Sequence, residues 1–299
     1  MPDFKSIDPA ALSLGNLHHT LLSLIAPRPI AFVSTISAAG EVNLSPFSYF
    51  NVFGINPPTL IFSPARSVRT LQQKHTTINV EEVAECVINL VDYALVEQAS
   101  LASCEYPKGV NEFEKAGLTM APSELVKPPR VAESPASFEC RVKQVIETGP
   151  GAGAGMLVVC EIVRIHVRMD LTNPDGRINL EKLTPVGRMG GNYYVKAFGN
   201  ALFEVAKPNE KLGIGVDALP EWVRHSHQLT GFMLARLGNV EQIPERDEDF
   251  AQKLKTYTRN DAVLSAQFAG FEGLSAEKKI ATLVLANRVD LAWQVIINL

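Results

Sequence analysis

Cysteine is scarce and widely spaced: Cys86, Cys104, Cys140 and Cys160 form no CxxC pair. That argues against a zinc site, a redox dithiol or a disulfide framework and leaves buried or inert thiols. Positive charge is not in excess either. With a formal net charge of -4 there is no general basic field for a polyphosphate, so nucleic acid is a poor partner and any anion site has to be local. No apolar run approaches twenty residues, and the opening MPDFKSIDPAALS has no basic stretch followed by an apolar one. Neither a membrane span nor an export signal is expected, and the expected location is cytoplasmic. A dinucleotide glycine loop is missing as well. GPGAGAG at 149–155 lies between two strand patterns, opens no helix and lacks the G-x-G-x-x-G spacing, so it reads as a hairpin turn. His225 and His227 are read as two residues apart on a helix, facing different sides with no carboxylate or cysteine cluster nearby. They are expected on a helix surface, and no metal is expected.

What is present is enough apolar residue for a large core: 46% of 299 residues, with 20% charged. From about residue 30 to 167 the apolar residues come in short β-branched runs separated by Pro, Gly, Asn and Ser, the pattern of an antiparallel all-β core in a barrel or sandwich. IAFVSTIS, SYFNVFGI, TLIFSP, CVINLVD, SFECRVKQVIET and MLVVCEIVRIHV are the expected strands, with AAGEVN and GPGAGAG as hairpin connections. Helices are expected in TTINVEEVAE, in ALVEQASLAS and within PKGVNEFEKAGL. After Pro208 the spacing turns helical, which divides the chain into a β domain at 1–208 and a helical C-terminal extension at 209–299.

Three stretches carry candidate chemistry. In the first, Arg28 sits between two prolines, and a later strand is dense in Ser45, Ser48, Tyr49, Phe50 and Asn51. Hydroxyls beside aromatics suit a planar ligand with polar edges, and they equally suit a sheet whose outer face is simply Ser- and Asn-rich. In the second, Arg66, Arg69, Lys74, His75, Thr76 and Thr77 stand at or before a helix start. Thr76 or Thr77 can cap that helix, and free N–H groups with nearby cations make a phosphate site. A solvated basic loop with an ordinary threonine cap gives the same pattern. The third, PVGRMGGNYYVKAFG, places Gly190 and Gly191 before Asn192, Tyr193 and Tyr194; the glycines allow close backbone approach to a ligand, or only a tight turn.

Taken together, PRPIAFVST, SPFSYFN followed by NPP, KHTTIN, SCEYPKGVNEFEKAGL, VKPPRVAESPASFEC and GRMGGNYY resemble the flavin reductase-like FMN-binding family, which includes flavoredoxin-type proteins. The resemblance runs in order from about residue 22 to 208. It implies a split β-barrel that forms a homodimer with FMN at or near the subunit interface. Ser45, Pro46, Phe47, Ser48, Tyr49, Phe50 and Asn51 would run beside the isoalloxazine, mainly through backbone groups, with Thr35 nearby. Ser63 and Arg66, with Lys74 and Thr76, would hold the phosphate, and Asn192 and Tyr193 would approach the flavin or its substrate face. His75 departs from the family pattern, where an aspartate is common.

The expected function is FMN-dependent oxidoreduction, from NADH or NADPH to FMN and on to an acceptor, with an oxygenase or another electron acceptor as partner. No protein nucleophile is required, because the flavin brings the redox chemistry. Backbone amides of the second strand or its following loop are expected to stabilise charge on the reduced ring. The alternative is an FMN-binding electron carrier or redox-sensing module that does not itself turn over nicotinamide. The helical third is expected to cover the barrel or extend the dimer interface, with partner docking as the other reading.

Overall fold

Strand β1 (Ala31–Ile36) is buried from Ala31 to Thr35, so both of its faces meet protein and its sequence need not alternate apolar with polar. It pairs antiparallel with β2 (Val42–Phe47) on one side and with β5 (Glu85–Leu90) on the other. With β3 (Phe50–Ile55), β4 (Pro58–Phe62), β8 (Ala136–Glu147) and β9 (Met156–Val167) they form one seven-stranded antiparallel sheet in the order β2-β1-β5-β8-β9-β4-β3. Two small hairpins accompany it, β6 (Met120–Ala121) with β7 (Arg130–Val131), and β10 (Val186–Arg188) with β11 (Tyr194–Lys196). This computed structural model describes residues 2–68, 70–205, 212–260 and 271–299. It contains two compact units, Met1–Phe203 and Glu204–Leu299. The expected border at Pro208 lies outside the described residues, as does Arg69.

The expected second strand is corrected by the structure. SYFNVFGI begins two residues late, as β3 from Phe50, and it is SPFSYFN that is not continuous: Ser48 and Tyr49 belong to no strand, and the run is shared between the end of β2 and the start of β3. These two strands are opposite edges of the sheet. Three Cα steps reach at most about 11 Å, so the chain itself draws the two edges together and the sheet curls into a barrel with no β2–β3 ladder. The interior on one side holds Val33, Phe62, Ile88, Val158 and three buried thiols. Phe32, Leu44, Leu95 and Phe113 fill the other. Side chains as fully buried as Phe32 and Phe62 contribute about 1.5–3 kcal/mol each.

The helices of the barrel unit are short. α1 (Leu14–Leu24), which the sequence reading did not anticipate and which carries His18 and His19, starts at Ser13, whose hydroxyl accepts from Asn16 N–H. α2 (His75–Glu82) is pinned to the sheet by Asn79 Nδ2 donating to Thr35 Oγ1 at 3.0 Å and by Asn43 Nδ2 donating to Thr76 Oγ1 at 3.0 Å. α3 (Val96–Leu101) follows β5, and α4 (Glu112–Ala116) ends at Gly117, whose φ of 63° is the left-handed conformation glycine supplies at helix ends.

The second unit is helical, as expected, with α5 (Glu221–Arg224), α6 (Gly231–Gly238), α7 (Phe250–Asn260), α8 (Ala276–Leu285) and α9 (Val289–Ile297) among the described residues. Val223, Leu237, Ile280, Leu283, Val284 and Trp293 form its own core. The Trp293 indole N–H donates to Leu237 O at 3.1 Å. The last two helices are separated at Asn287, which takes φ 61°, a conformation that short polar side chains tolerate. His225 caps α5 and His227 lies beyond it, so the two do not share a helix as the spacing suggested. No described helix is long and apolar enough to cross a membrane.

Candidate functional site

A cavity of ≈ 360 Å³ in the barrel unit opens beside β2. Asn43 and Ser45 line it from that strand, Lys74, His75 and Thr76 from the start of α2, and residues 103–108 from across the cleft. A second cavity of ≈ 170 Å³ shares Ser103 with it and is lined by Pro46, Ser48, Arg188 and Tyr194. A third, ≈ 300 Å³, shares Val96, Ser100 and Tyr194 with the second and takes in Asn192 and Lys196. The three therefore form one groove that follows β2 from its middle to the break at Ser48 and continues to the β10–β11 hairpin.

One end of this groove suits an anion. Lys74 is the N-cap of α2, with no side-chain cap bond. The N–H groups of His75 and Thr76, in the first turn, have no acceptor within the helix. Thr76 and Thr77 lie inside the first turn rather than capping it, contrary to the expectation, and Thr76 Oγ1 is occupied by Asn43. The ammonium of Lys74 pairs with Glu105, on the opposite wall. Glu112 lines the same cavity, is buried, and accepts from Leu44 N–H at 2.9 Å. Burial raises its carboxyl above the ordinary value, against the pull of that amide.

The other stretch of the groove is held by a buried arginine. Arg28 donates to Leu22 O at 2.8 Å, to Ile25 O at 2.5 Å, to Met189 O at 3.0 Å and to Ser48 Oγ at 3.3 Å. Its backbone exchanges two hydrogen bonds with Arg188. One side chain thereby ties the end of α1, the break between β2 and β3, and the loop after β10. Burial lowers the Arg28 pKa and raises that of Tyr49, the latter opposed by the charge of Arg28.

The expected contact residues divide accordingly. Ser45, Pro46, Ser48, Lys74, Thr76 and Asn192 line the groove. Thr35 is buried against Asn79. Phe47 stacks on Phe62 at 5.6 Å between centroids, and Phe50 packs against the same core. Tyr49 is partly exposed at the break, Asn51 faces solvent on β3, and Tyr193 is exposed. Ser63 is buried with its hydroxyl unpartnered. Arg66 is not among the residues that line the three cavities: its guanidinium pairs with Glu147 at 2.7 Å, and its backbone bonds to the 149–155 turn. Missed by the sequence reading were Asn43 and Ser100, which stand in none of the motifs singled out, and Ser103 and Glu105, which open SCEYPKGVNEFEKAGL but were given no role; all four line the groove. Among the described residues no cluster could hold a metal ion. Cys86, Cys140 and Cys160 are free and buried, with the Cys86 and Cys160 sulfurs 3.8 Å apart, and Cys104 is exposed.

Residues 23–183 match the family model described as flavin reductase like domain. An uncharacterized protein of Aquifex aeolicus is 41% identical over 191 residues, which cover 63% of this chain and 94% of that protein. One of Halalkalibacterium halodurans is 40% identical over 192 residues, 64% of this chain and 91% of the relative. Among solved structures, nitrilotriacetate monooxygenase component B from Bacillus cereus aligns with a TM-score of 0.64 at 32% identity, covering 69% of this chain and 100% of that one. The Pseudomonas fluorescens 2-nitrobenzoate 2-nitroreductase NbaA aligns with a TM-score of 0.60 at 25% identity, over 69% and 100%.

Proposed function

This chain belongs to the flavin reductase-like family, and from that premise we propose that it is an NAD(P)H:FMN oxidoreductase that holds FMN along the β2 groove, acts as a homodimer in the cytoplasm and passes electrons to an acceptor, an oxygenase among the candidates. The observation that carries the reading is the groove's polarity: an anion-binding end at Lys74, His75 and Thr76, continuous with a cleft bordered by Pro46, Ser48 and Tyr194.

The donor set fits FMN. Lys74 and the free amides of the first α2 turn suit a phosphate, and Asn43 and Ser45 offer polar groups to a ribityl chain. Ser48 and Tyr49 lie outside both ladders, so their backbone N–H groups are available to the electron-rich edge of a reduced ring, where fixed donors are most effective. When bound, the flavin supplies the hydride and electron chemistry. The chain's part is to neutralise the phosphate, to keep Ser48 in place through Arg28, and to limit water along the groove. Homodimerisation is supported by the apolar edge strand β3, where Val52, Phe53 and Ile55 are exposed, a surface that monomeric proteins seldom leave uncovered. The name of the Bacillus cereus neighbour, component B of a monooxygenase, supports an oxygenase as the acceptor.

The test is anaerobic mixing of the FMN-loaded protein with NADH and, separately, with NADPH. Bleaching of the flavin absorbance with at least one donor is expected. No bleaching with either rejects the reductase assignment.

A further inference from the structure

We infer that the cavity beyond Tyr194 is a second ligand site, built for a single-ring aromatic carboxylate that carries a hydrogen-bond donor at its far end. The cavity measures ≈ 300 Å³, at the lower limit of small-molecule pockets, which suits one substituted ring rather than a dinucleotide. Val96, Val186 and Val195 give it apolar lining.

Its polar groups are few and of opposite sign. Lys196 Nζ lies 4.1 Å from the centroid of the Tyr93 ring, and in the wall of the adjoining cavity the Arg188 guanidinium lies 4.6 Å from that of Tyr194. Each cation is thus held by an aromatic face, and among the described residues neither makes an ion pair. A carboxylate entering the cavity meets a cation already fixed in position, which lowers the ordering cost of a charge-assisted bond. Glu97 also lines the cavity, from α3, and has no ion pair among the described residues, with Ser100 one turn further on. An anion alone would be repelled by Glu97. A ring with its carboxylate at Lys196 and a hydroxyl at Glu97 or Ser100 satisfies both walls, with Asn192 as a further polar contact.

The cavity continues the groove proposed for FMN, so its use in electron transfer rests on that reading, whereas ligand binding does not. The experiment is calorimetric titration of the full chain, as purified and after FMN loading, with 4-hydroxybenzoate, benzoate and the neutral benzamide. The expected order of affinity is 4-hydroxybenzoate, benzoate, benzamide. Lys196→Gln is expected to weaken 4-hydroxybenzoate about tenfold, the size of one lost charge-assisted bond, with Lys196→Arg restoring most of it and the FMN dissociation constant unchanged in both. Equal binding of benzamide and 4-hydroxybenzoate, or an unchanged affinity in Lys196→Gln, overturns the site. Tighter binding of nicotinamide mononucleotide that displaces 4-hydroxybenzoate also overturns it, by assigning the cavity to the nicotinamide half of the hydride donor. Lys196-dependent binding in a chain that takes up no FMN upholds this site and rejects the flavin reading; FMN uptake without any 4-hydroxybenzoate binding does the reverse.

Discussion

Lys74 and Arg66 are close in sequence and both cationic, yet they take different partners. Glu147 takes the guanidinium of Arg66, while Lys74 faces the groove and pairs with the exposed carboxylate of Glu105. Lys74→Ala should weaken FMN by about 1–3 kcal/mol, the range for a charge-assisted contact, and Arg66→Ala by less, as read from flavin fluorescence titrations. Equal losses would place Arg66 at the phosphate after all. The basic run was legible in the sequence because cations before a helix start are a local pattern. The capture of Arg66 was not, since its partner lies 81 residues away. Glu139 is another long-range case. Burial pushes its carboxyl up, but Glu124 N–H at 2.7 Å, Leu125 N–H at 2.6 Å and His166 Nε2 at 2.6 Å outweigh that and hold it below the usual carboxylate range. A depressed folded-state pKa gives stability that is complete above the unfolded value, about 4.3, and is lost as pH falls through the folded one. Urea midpoints should therefore drop below about pH 4 in the wild type. Glu139→Gln should flatten that drop; an unchanged slope would remove Glu139 from the account.

The strands were read correctly where an ordinary hairpin joins them, as in β8 and β9 around the glycine-rich turn. They were misread at SPFSYFN, because the interruption at Ser48 and Tyr49 arises from the curl of the whole sheet, and neither residue is a glycine or proline that would mark it locally. α1 escaped for a related reason: none of its residues is buried, so no core-facing stripe had to be written into its sequence. The interruption turns β3 into an edge, and its exposed Val52, Phe53 and Ile55 are the surface proposed for the second copy. Phe53→Asp should convert a dimer into a monomer in sedimentation-velocity measurements, since an unpaired charge in a buried apolar contact costs several kcal/mol. A variant that sediments as the wild type does would move the interface elsewhere.

The two units have separate cores, and the family match at residues 23–183 lies wholly within the first. The change from β to helical pattern announced the second unit in the sequence, because a core of helices must place its apolar residues at helical spacing. The groove itself could be anticipated only in pieces. Ser45, Lys74 and Asn192 were assigned from their motifs, but Ser100, Ser103 and Glu105 reach the groove through the packing of α3 and its following loop against the sheet, which no local pattern announces. All of this depends on the β2 groove accepting a flavin mononucleotide. Titration of the flavin-free full chain with FMN, followed by quenching of flavin fluorescence, measures that directly. The account predicts saturable uptake of one FMN per chain, weakened in Lys74→Ala; absence of saturable binding in a correctly folded chain would contradict it.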